Sequence, residues 1–530
     1  MLGRQTLISR YWTESLTITD VDIENIFSVM LEDETPLESR VMVRMLIEDR
    51  VRQEDDVWRK RLTEGELFQP KNTYDVGQKL VFPALDFTVG EVVGSRDGSN
   101  PEHGDFTVLE VEFSDGIRRE FAGNLQAPHA LDLDDEAAGG VAVEALLEPV
   151  DIDALVAEYG AVVGDKLEAY LREEGDVVYA TGLWFLKSLL PTIDVGHINL
   201  TEAVLDMNTD GPMAVEDILP ILDLPTEVNP TLQAFALNDA LYRDSRFDEV
   251  GPAGAVCWYL QRLEPAEVRQ MPERLLYDVI PYDRGLLSDA ALALETTIAD
   301  EHSPLAEIKR VPETVTLTLL YPHRRAGTLP LTAELLAMLP TAYEAERILV
   351  ILEDGQTGDE YQGWVVRKGR YVFGLERFYR KHKLPIGVYI RVSRTNDPGR
   401  FVIDFDSYRP RTEWIMLVEP HESRIRFQNH RRSIGAAYDD LMVLGVDNLD
   451  AIDALWQPPQ NQRRSLLQTM RDLMPELARL NPQSAVHTKT LYSAINVVRR
   501  CPPGPILAAL ESQAEFEAVG DHYWRFVKNA

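Results

Sequence analysis

The chain has 530 residues, too many for one hydrophobic core, and 45% of them are hydrophobic, so it should fold as several domains. It carries 53 basic and 87 acidic side chains, a net charge of −34, and contains no run of about 18 apolar residues, which excludes a membrane span. The first twenty residues, MLGRQTLISRYWTESLTITD, lack an apolar signal region, and Cys257 and Cys501 each sit in an apolar segment, so a cytoplasmic location with buried thiols rather than a disulfide is expected.

Residues 1–70 read as a helical N-terminal segment. Pro36 and Glu38 open a stretch in which Val41, Val43, Met45 and Leu46 alternate with charges as far as Arg61. Residues 71–130 change period. YDVGQKLVFP, FTVGEVVGSR, DFTVLEVEFSDG and IRREFAG are short β-rich runs broken by Gly, Asp, Asn and Pro, the pattern of a small closed barrel. The run Val76-Gly77-Gln78-Lys79-Leu80-Val81-Phe82-Pro83, followed by Val89-Gly90-Glu91-Val92, resembles the small Tudor-like barrels of transcription factors such as CarD, over about 50 residues. Residues 131–148, which begin LDLDDEAAGG, read as an acidic linker.

A pattern then recurs: EEGDVVYATGLWFL ending at Leu186, ALYRDSRFDEVGPAGAVCWYL at Leu260, and ALESQAEFEAVGDHYWRF at Phe526. Each places a Val/Thr-Gly turn before a Trp, which an apolar or aromatic residue follows directly in the first two and after Arg525 in the third. The physical reading is a helix feeding a β-hairpin, with Gly251 and Gly520 permitting turns and Trp184, Trp258 and Trp524 returning to the core. Three helices precede the second hairpin, HINLTEAVLDMN, GPMAVEDILPIL and NPTLQAFALNDALY. The copies are assigned to residues 149–195, 196–300 and 486–530, with one helix shortened or lost in the third. They are similar to the HARE-type winged helix-turn-helix of the bacterial RNA polymerase delta subunit and of restriction-linked proteins. The candidate recognition helix at 230–243 offers Gln233, Asn238 and Asp239, with only Arg243 at its end, so it cannot neutralise phosphates and reads as a packing module. Lys489, Arg499 and Arg500 leave DNA contact open in the third copy.

Residues 305–425 are β-rich again. TVTLTLLYP, ERILVILEDG, YQGWVVRKG, RYVFGL, GVYIRVSR, RFVIDF and EWIMLVE are seven strand candidates with helical inserts, expected to form a self-contained barrel. Residues 426–485 read as a helical segment. Residues 361–432 carry 16 basic and 7 acidic side chains, in contrast to 23 and 59 over residues 1–300. Tyr371, Phe373, Phe378, Leu384 and Ile390 fall where a strand–helix–strand core needs apolar groups. Arg367, Lys368, Arg370, Arg377, Arg380, Lys381, Lys383, Arg391 and Arg394 lie between them as candidate nucleic-acid-binding residues, with Arg400, Arg409 and Arg411 beside them. The alternative is that these cations clamp the acidic N-terminal half. Leu329-Pro330-Leu331-Thr332, Gly363-Trp364, Gly374-Leu375-x-x-Phe378-Tyr379 and His382-x-Leu384-x-x-Gly387-x-x-Ile390 resemble the DNA-binding pseudobarrel of plant transcription factors and restriction-enzyme effector domains. Val388 stands where that family carries an acid.

The fold class expected is therefore multidomain α+β: a small β-barrel, repeated winged-helix modules and a seven-stranded pseudobarrel. No P-loop, H-E-x-x-H, G-x-S-x-G or paired C-x-x-C occurs. Asp404 with Asp406, His421 with His430, and the PYD and EIK runs at 281–283 and 307–309 read as structural, so no catalytic residue, metal or cofactor is expected. The function expected is a non-enzymatic protein that contacts double-stranded DNA and is associated with transcription or the chromosome. The alternatives are a scaffold whose acidic N-terminal half binds RNA polymerase or another basic protein, and the DNA-reading subunit of a restriction or defence system.

Overall fold

Three hairpins form where the repeated pattern lies; the first and third meet a third short strand at their tryptophans, and the second meets the isolated bridge residue Met213. The computed structural model describes residues 5–527 apart from 86, 102–103, 128, 130–148, 209–210, 226–227, 344, 423 and 457–463. The linker expected at 131–148 lies outside the described residues. The chain is mixed α+β, with several sheets. It divides into two units, Met1–Thr192 with Pro225–Asp239, and Ile193–Leu224 with Ala240–Ala530. Among the described residues no helix is long and apolar enough to cross a membrane.

In the first unit, helices Asp20–Asp33 and Ser39–Thr63 flank the short strand β1 (Leu37–Glu38). Thr19 starts the first helix by donating its N–H and hydroxyl to Asp22, at 2.8 and 2.6 Å. Strands β2 (Glu66–Leu67), β3 (Lys79–Phe82), β4 (Thr88–Asn100), β5 (Gly104–Phe113) and β6 (Arg118–Gly123) then form a five-stranded sheet in that order. Phe68, Phe82, Phe113 and Phe121 fill its core, with ring centroids 4.4–6.0 Å apart. The closed barrel expected here is an open sheet among the described residues. Its ends meet through Asn124 and Leu125, whose N–H groups donate to the Asn72 and Pro70 carbonyls at 2.8 and 2.9 Å. Helix Ile152–Glu174 follows, with Asp151 accepting the Ala154 N–H at its start and Gly175 (φ +74°) ending it. It packs along Ser39–Thr63 and feeds the hairpin of β7 (Val177–Ala180) and β8 (Leu183–Leu186). Trp184 on β8 is in register with Leu37 of β1, is 1% exposed, and donates its indole N–H to Ser39 at 2.9 Å.

The second unit opens with helix Val195–Met207. Met213 then bridges to Trp258, ahead of the short helix Val215–Ile218. Helix Pro230–Tyr242 leads to β9 (Phe247–Glu249) and β10 (Trp258–Leu260). Its residues 230–239 belong to the first unit and 240–242 to the second. Gly251 is needed for close approach rather than for a left-handed turn, because a Cβ there would lie 2.1 Å from the Ala255 carbonyl oxygen.

Seven strands follow as a curled half-barrel: β11 (Thr314–Thr318), β12 (Thr328–Pro330), β13 (Arg347–Asp354), β14 (Glu360–Val366), β15 (Tyr371–Phe373), β16 (Tyr389–Arg394) and β17 (Arg400–Asp404). Their order is β11-β16-β17-β13-β14-β15-β12. Six of the expected runs are here, but EWIMLVE is not. It belongs to β18 (Ser407–His421), which pairs with β19 (Arg424–Ala436) and β20 (Leu444–Val446) in a separate sheet. The seventh place is taken by Thr328–Pro330, expected only as the run into a helix. The boundary placed at 425 falls inside the β18–β19 ribbon, and residues 426–436, expected to be helical, are its return strand. Trp364, Tyr371, Phe378, Tyr379, Leu384 and Ile390 are all buried, so the aromatics of the basic stretch are core.

Helix Leu466–Ala478, β21 (Val486–His487), helices Thr488–Val498 and Pro503–Ser512, and the hairpin of β22 (Phe516–Gly520) and β23 (Tyr523–Phe526) complete the chain. Val486 is in register with Trp524, which is half-buried and donates its indole N–H to Thr488 at 3.2 Å. The order helix, short strand, helix, helix, hairpin thus occurs in the first and third places, and in the second the isolated bridge at Met213 stands where the short strand would be. In the first and third copies the tryptophan binds a hydroxyl at the first residue of the helix after the short strand. In the first place the order starts at helix Asp20–Asp33, upstream of residue 149, with the five-stranded sheet lying in sequence between its second and third helices. The third recovers its missing helix upstream, at Leu466–Ala478.

A buried ionic cluster joins the third copy to the half-barrel. Arg500 is fully buried and lies 2.7 Å from both carboxyl oxygens of Asp300 and 2.6 Å from Glu301. Tyr492 donates its hydroxyl to Asp300, and His323 faces Glu301 at 3.2 Å and Thr328 at 2.9 Å. Burial pushes the Glu301 carboxyl up, but Arg500 and His323 outweigh it and hold it well below the usual range.

Trp184→Ala is expected to destabilise the first unit by about 3–5 kcal/mol, while the half-buried Trp524 costs less when truncated; urea unfolding of the two variants measures the order. His487 gives a pH dependence. Burial, then His522 and Lys489, push its imidazole down to about 4, and its Nδ1 accepts the Lys489 N–H at 3.0 Å, which only the neutral ring can do. The unfolded ring takes up its proton near pH 6.5, so stability should fall as pH drops from about 6.5 to about 4, by up to about 3 kcal/mol. Denaturation of His487→Asn, which keeps a capping acceptor without the titration, should lack that part of the slope.

Candidate nucleic-acid interface

The nine cations of the basic stretch do not share one fate. Arg367 is half-buried and donates to the carbonyls of Leu336, Leu339 and Pro340, at 3.3, 3.5 and 3.1 Å, at the end of helix Ala333–Met338. Arg370 (φ +55°) donates to the Glu301 carbonyl at 2.7 Å. Lys368 pairs with Glu346 at 3.0 Å and Arg380 with Glu376 one helical turn away. Arg391 holds both Asp404 and Asp406, at 2.8 and 2.6 Å, so those two carboxylates share one guanidinium. Among the described residues no group of three or more His, Cys, Asp or Glu side chains could hold a metal ion.

Lys381 is drawn into a cluster centred on Asp354, the last residue of β13. The Asp354 carboxylate has no exposed side-chain surface and accepts from Lys381 at 2.9 Å, His382 at 2.7 Å, Thr357 at 2.8 Å and the Gln356 N–H at 2.9 Å. Burial pushes this carboxyl up, but the bonds from His382, Lys381 and Thr357 overcome it, and it titrates well below the ordinary aspartate range. Lys381 is shifted up in turn by its bonds to Asp359 and Asp354.

Three of the nine remain: Arg377, Lys383 and Arg394 are exposed and make no ion pair among the described residues. Arg394 lies at the end of β16 in register with Phe401, whereas the opposite end of β16 is tied to the ribbon by the Tyr389 N–H and the Ala437 carbonyl. Arg400, expected beside them, is bound to Glu353 and Glu360. Arg409 and Arg411 on β18 are exposed and free of ion pairs among the described residues. The paired cations find their partners inside the second unit. In the third helical module, Arg500 and Arg499 are buried and Lys489 pairs with Asp439 at 2.8 Å, so the DNA contact left open there is withdrawn.

What the linear pattern did not reveal is a cleft of about 1070 Å³ between helix Glu376–Lys381 with its following loop and the β18–β19 ribbon. Its cationic lining is Arg324, Arg325, Arg380, His382, Lys383 and Arg432, and its one acidic lining residue is Asp447. Arg325 pairs with Asp453, Arg380 with Glu376 and Arg432 with Asp447. Lys383 stays free of ion pairs among the described residues. Arg324 donates to the Leu384 carbonyl at 2.9 Å, and burial pushes its guanidinium down. At the rim, Arg411 lies 5.6 Å over the ring of Tyr408, which lines the cleft. A concave surface with several guanidinium groups and one carboxylate is suited to a polyanion. Of the Arg-rich run 424–432 only Arg432 lines the cleft, so no local pattern in the sequence would have found it.

Asp354→Asn should destabilise the half-barrel at neutral pH. The native carboxyl titrates below the unfolded one, so its contribution is complete above about pH 4 and is lost as pH falls further. Urea denaturation from neutral pH downwards should show that loss in the natural chain and not in the variant. Compared with known proteins, the chain matches no protein-family model, no curated sequence and no solved structure.

Proposed function

We propose that this chain is a non-enzymatic DNA-binding protein whose second unit contacts the phosphates of double-stranded DNA along the cleft between helix Glu376–Lys381 and the β18–β19 ribbon. The observation that carries this reading is the cleft lining, where Lys383 and Arg324 make no ion pair among the described residues and Arg411, also without one, stands at the rim. The binding set is Lys383, Arg377, Arg409 and Arg411, with Arg324 inside the cleft. Lys368, Arg380, Lys381 and Arg391 serve the half-barrel by neutralising its own carboxylates, and Arg367 and Arg370 by binding backbone carbonyls. The three helix–strand–helix–helix–hairpin modules are read as winged helices used for packing. Asn238 is buried and Gln233 donates to the Pro225 carbonyl, so the middle module offers little to a groove.

With about four or five phosphates contacted, log K for a random duplex should fall with log salt at a slope of roughly −4 to −5. Replacing Lys383, Arg409 and Arg411 by alanine should flatten the slope by about one unit per residue. Arg391→Ala should leave it in place, because Arg391 is already spent on Asp404 and Asp406. Fluorescence polarisation across a salt series measures both. A full chain that binds no duplex at low salt would reject this reading in favour of an interaction scaffold.

A further inference from the structure

The β18–β19 ribbon has two faces. Arg432, Ile434 and Ile415 on one of them line the cleft. On the other, the antiparallel register sets Thr412 opposite Ser433, Trp414 opposite Arg431 and Met416 opposite Asn429. None of these six is acidic, in a chain of net charge −34. Trp414 is 63% exposed, whereas Trp12, Trp184, Trp258 and Trp364 are at most 2% exposed. The Arg431 guanidinium lies over the Trp414 ring, 5.1 Å from its centroid.

Resting on the reading of the second unit as a DNA binder, we propose that Trp414 and Arg431 form a stacking platform for an unpaired nucleobase, so that the preferred DNA carries a single-stranded segment beside its duplex. An exposed indole has no partner in a duplex, whose bases are already stacked on one another. It gains only from a base whose face is free, and base–aromatic stacking next to arginine is the usual way of holding single strands. Thr412 and Asn429, register neighbours of the Trp414–Arg431 pair, can meet base edges. A protein-binding face would bring further exposed apolar side chains beside the tryptophan, and this one does not. Arg409, Arg411 and Arg426 elsewhere on the ribbon are also exposed, so the occupant is an anion that bears flat rings.

The test uses the full chain with two labelled probes, a duplex of about 20 base pairs and the same duplex with a single-stranded tail of about ten nucleotides. The tail should raise affinity by roughly 5- to 50-fold. Trp414→Ala should abolish that gain while leaving duplex affinity and the far-UV spectrum unchanged, and Trp414→Phe should keep most of it. Equal binding of the two probes, or a gain that survives Trp414→Ala, overturns the platform while salt-dependent duplex binding preserves the wider reading. The platform is also overturned if Trp414→Ala changes the oligomeric state in light scattering and leaves the gain intact, since the face would then be a contact between copies. Absence of salt-dependent binding to either probe overturns both.

Discussion

Arg500 is the group on which the architecture of the second unit turns. Its guanidinium sits between helices Thr488–Val498 and Pro503–Ser512 and is met by Asp300, Glu301 and Asn496. Stripping water from such ions is costly, and the cost is offset only when the fixed partners satisfy the fork. Here they do so in an almost closed set: Tyr492 completes Asp300, and His323 completes one oxygen of Glu301. Glu301 then passes the constraint on, because its carbonyl holds Arg370 at the turn into β15. The C-terminal module and the half-barrel thus share one buried charge centre. Removing one partner would strand the others in a dry interior, which costs about 3–5 kcal/mol in comparable cases.

The same economy of charge explains why so acidic a chain contains so basic a stretch. A curled sheet with Glu353, Asp354, Glu360, Asp404 and Asp406 on its edges and turns would repel itself unless cations were supplied nearby. Lys381, Arg391 and Arg400 supply them. Exposed pairs of this sort add little stability individually, but they cancel the local field, so they cannot also make a positive surface. The uncancelled charge lies one layer away, where the loop after helix Glu376–Lys381 faces the ribbon.

The three repeated modules show how one topology tolerates different settings. The first has an entire sheet inserted between its second and third helices, the second is split between the two units, and the third is locked by Arg500. In the first and third, the tryptophan on the return strand pairs with the short strand, and in the second it bridges Met213, so each hairpin is tied back to the chain ahead of it. A shared topology of this kind says little about function, and the candidate interface lies on the half-barrel and ribbon instead.

Local pattern determined a good deal by itself. Short β-rich runs between turn signals marked six of the seven half-barrel strands, and the recurring Val/Thr-Gly turn ahead of a Trp marked all three hairpins, because both signals depend on neighbours within a few residues. Long insertions defeated the same logic: Leu37 and Trp184 are register partners across the whole five-stranded sheet, and helix Leu466–Ala478 is separated in sequence from the hairpin it serves. Thr328–Pro330 was too short to declare itself a strand, and the five consecutive apolar residues of EWIMLVE do not say which of two sheets they join. The nine cations were visible as a basic run, but only tertiary structure decided which of them keep a free charge. Lys381 meets an aspartate 27 residues earlier, Arg391 meets one 13 residues later, and Lys383 meets none among the described residues. Pairing is a matter of distance in space, and a charge contributes to an outward field only when nothing within reach of its side chain has already neutralised it.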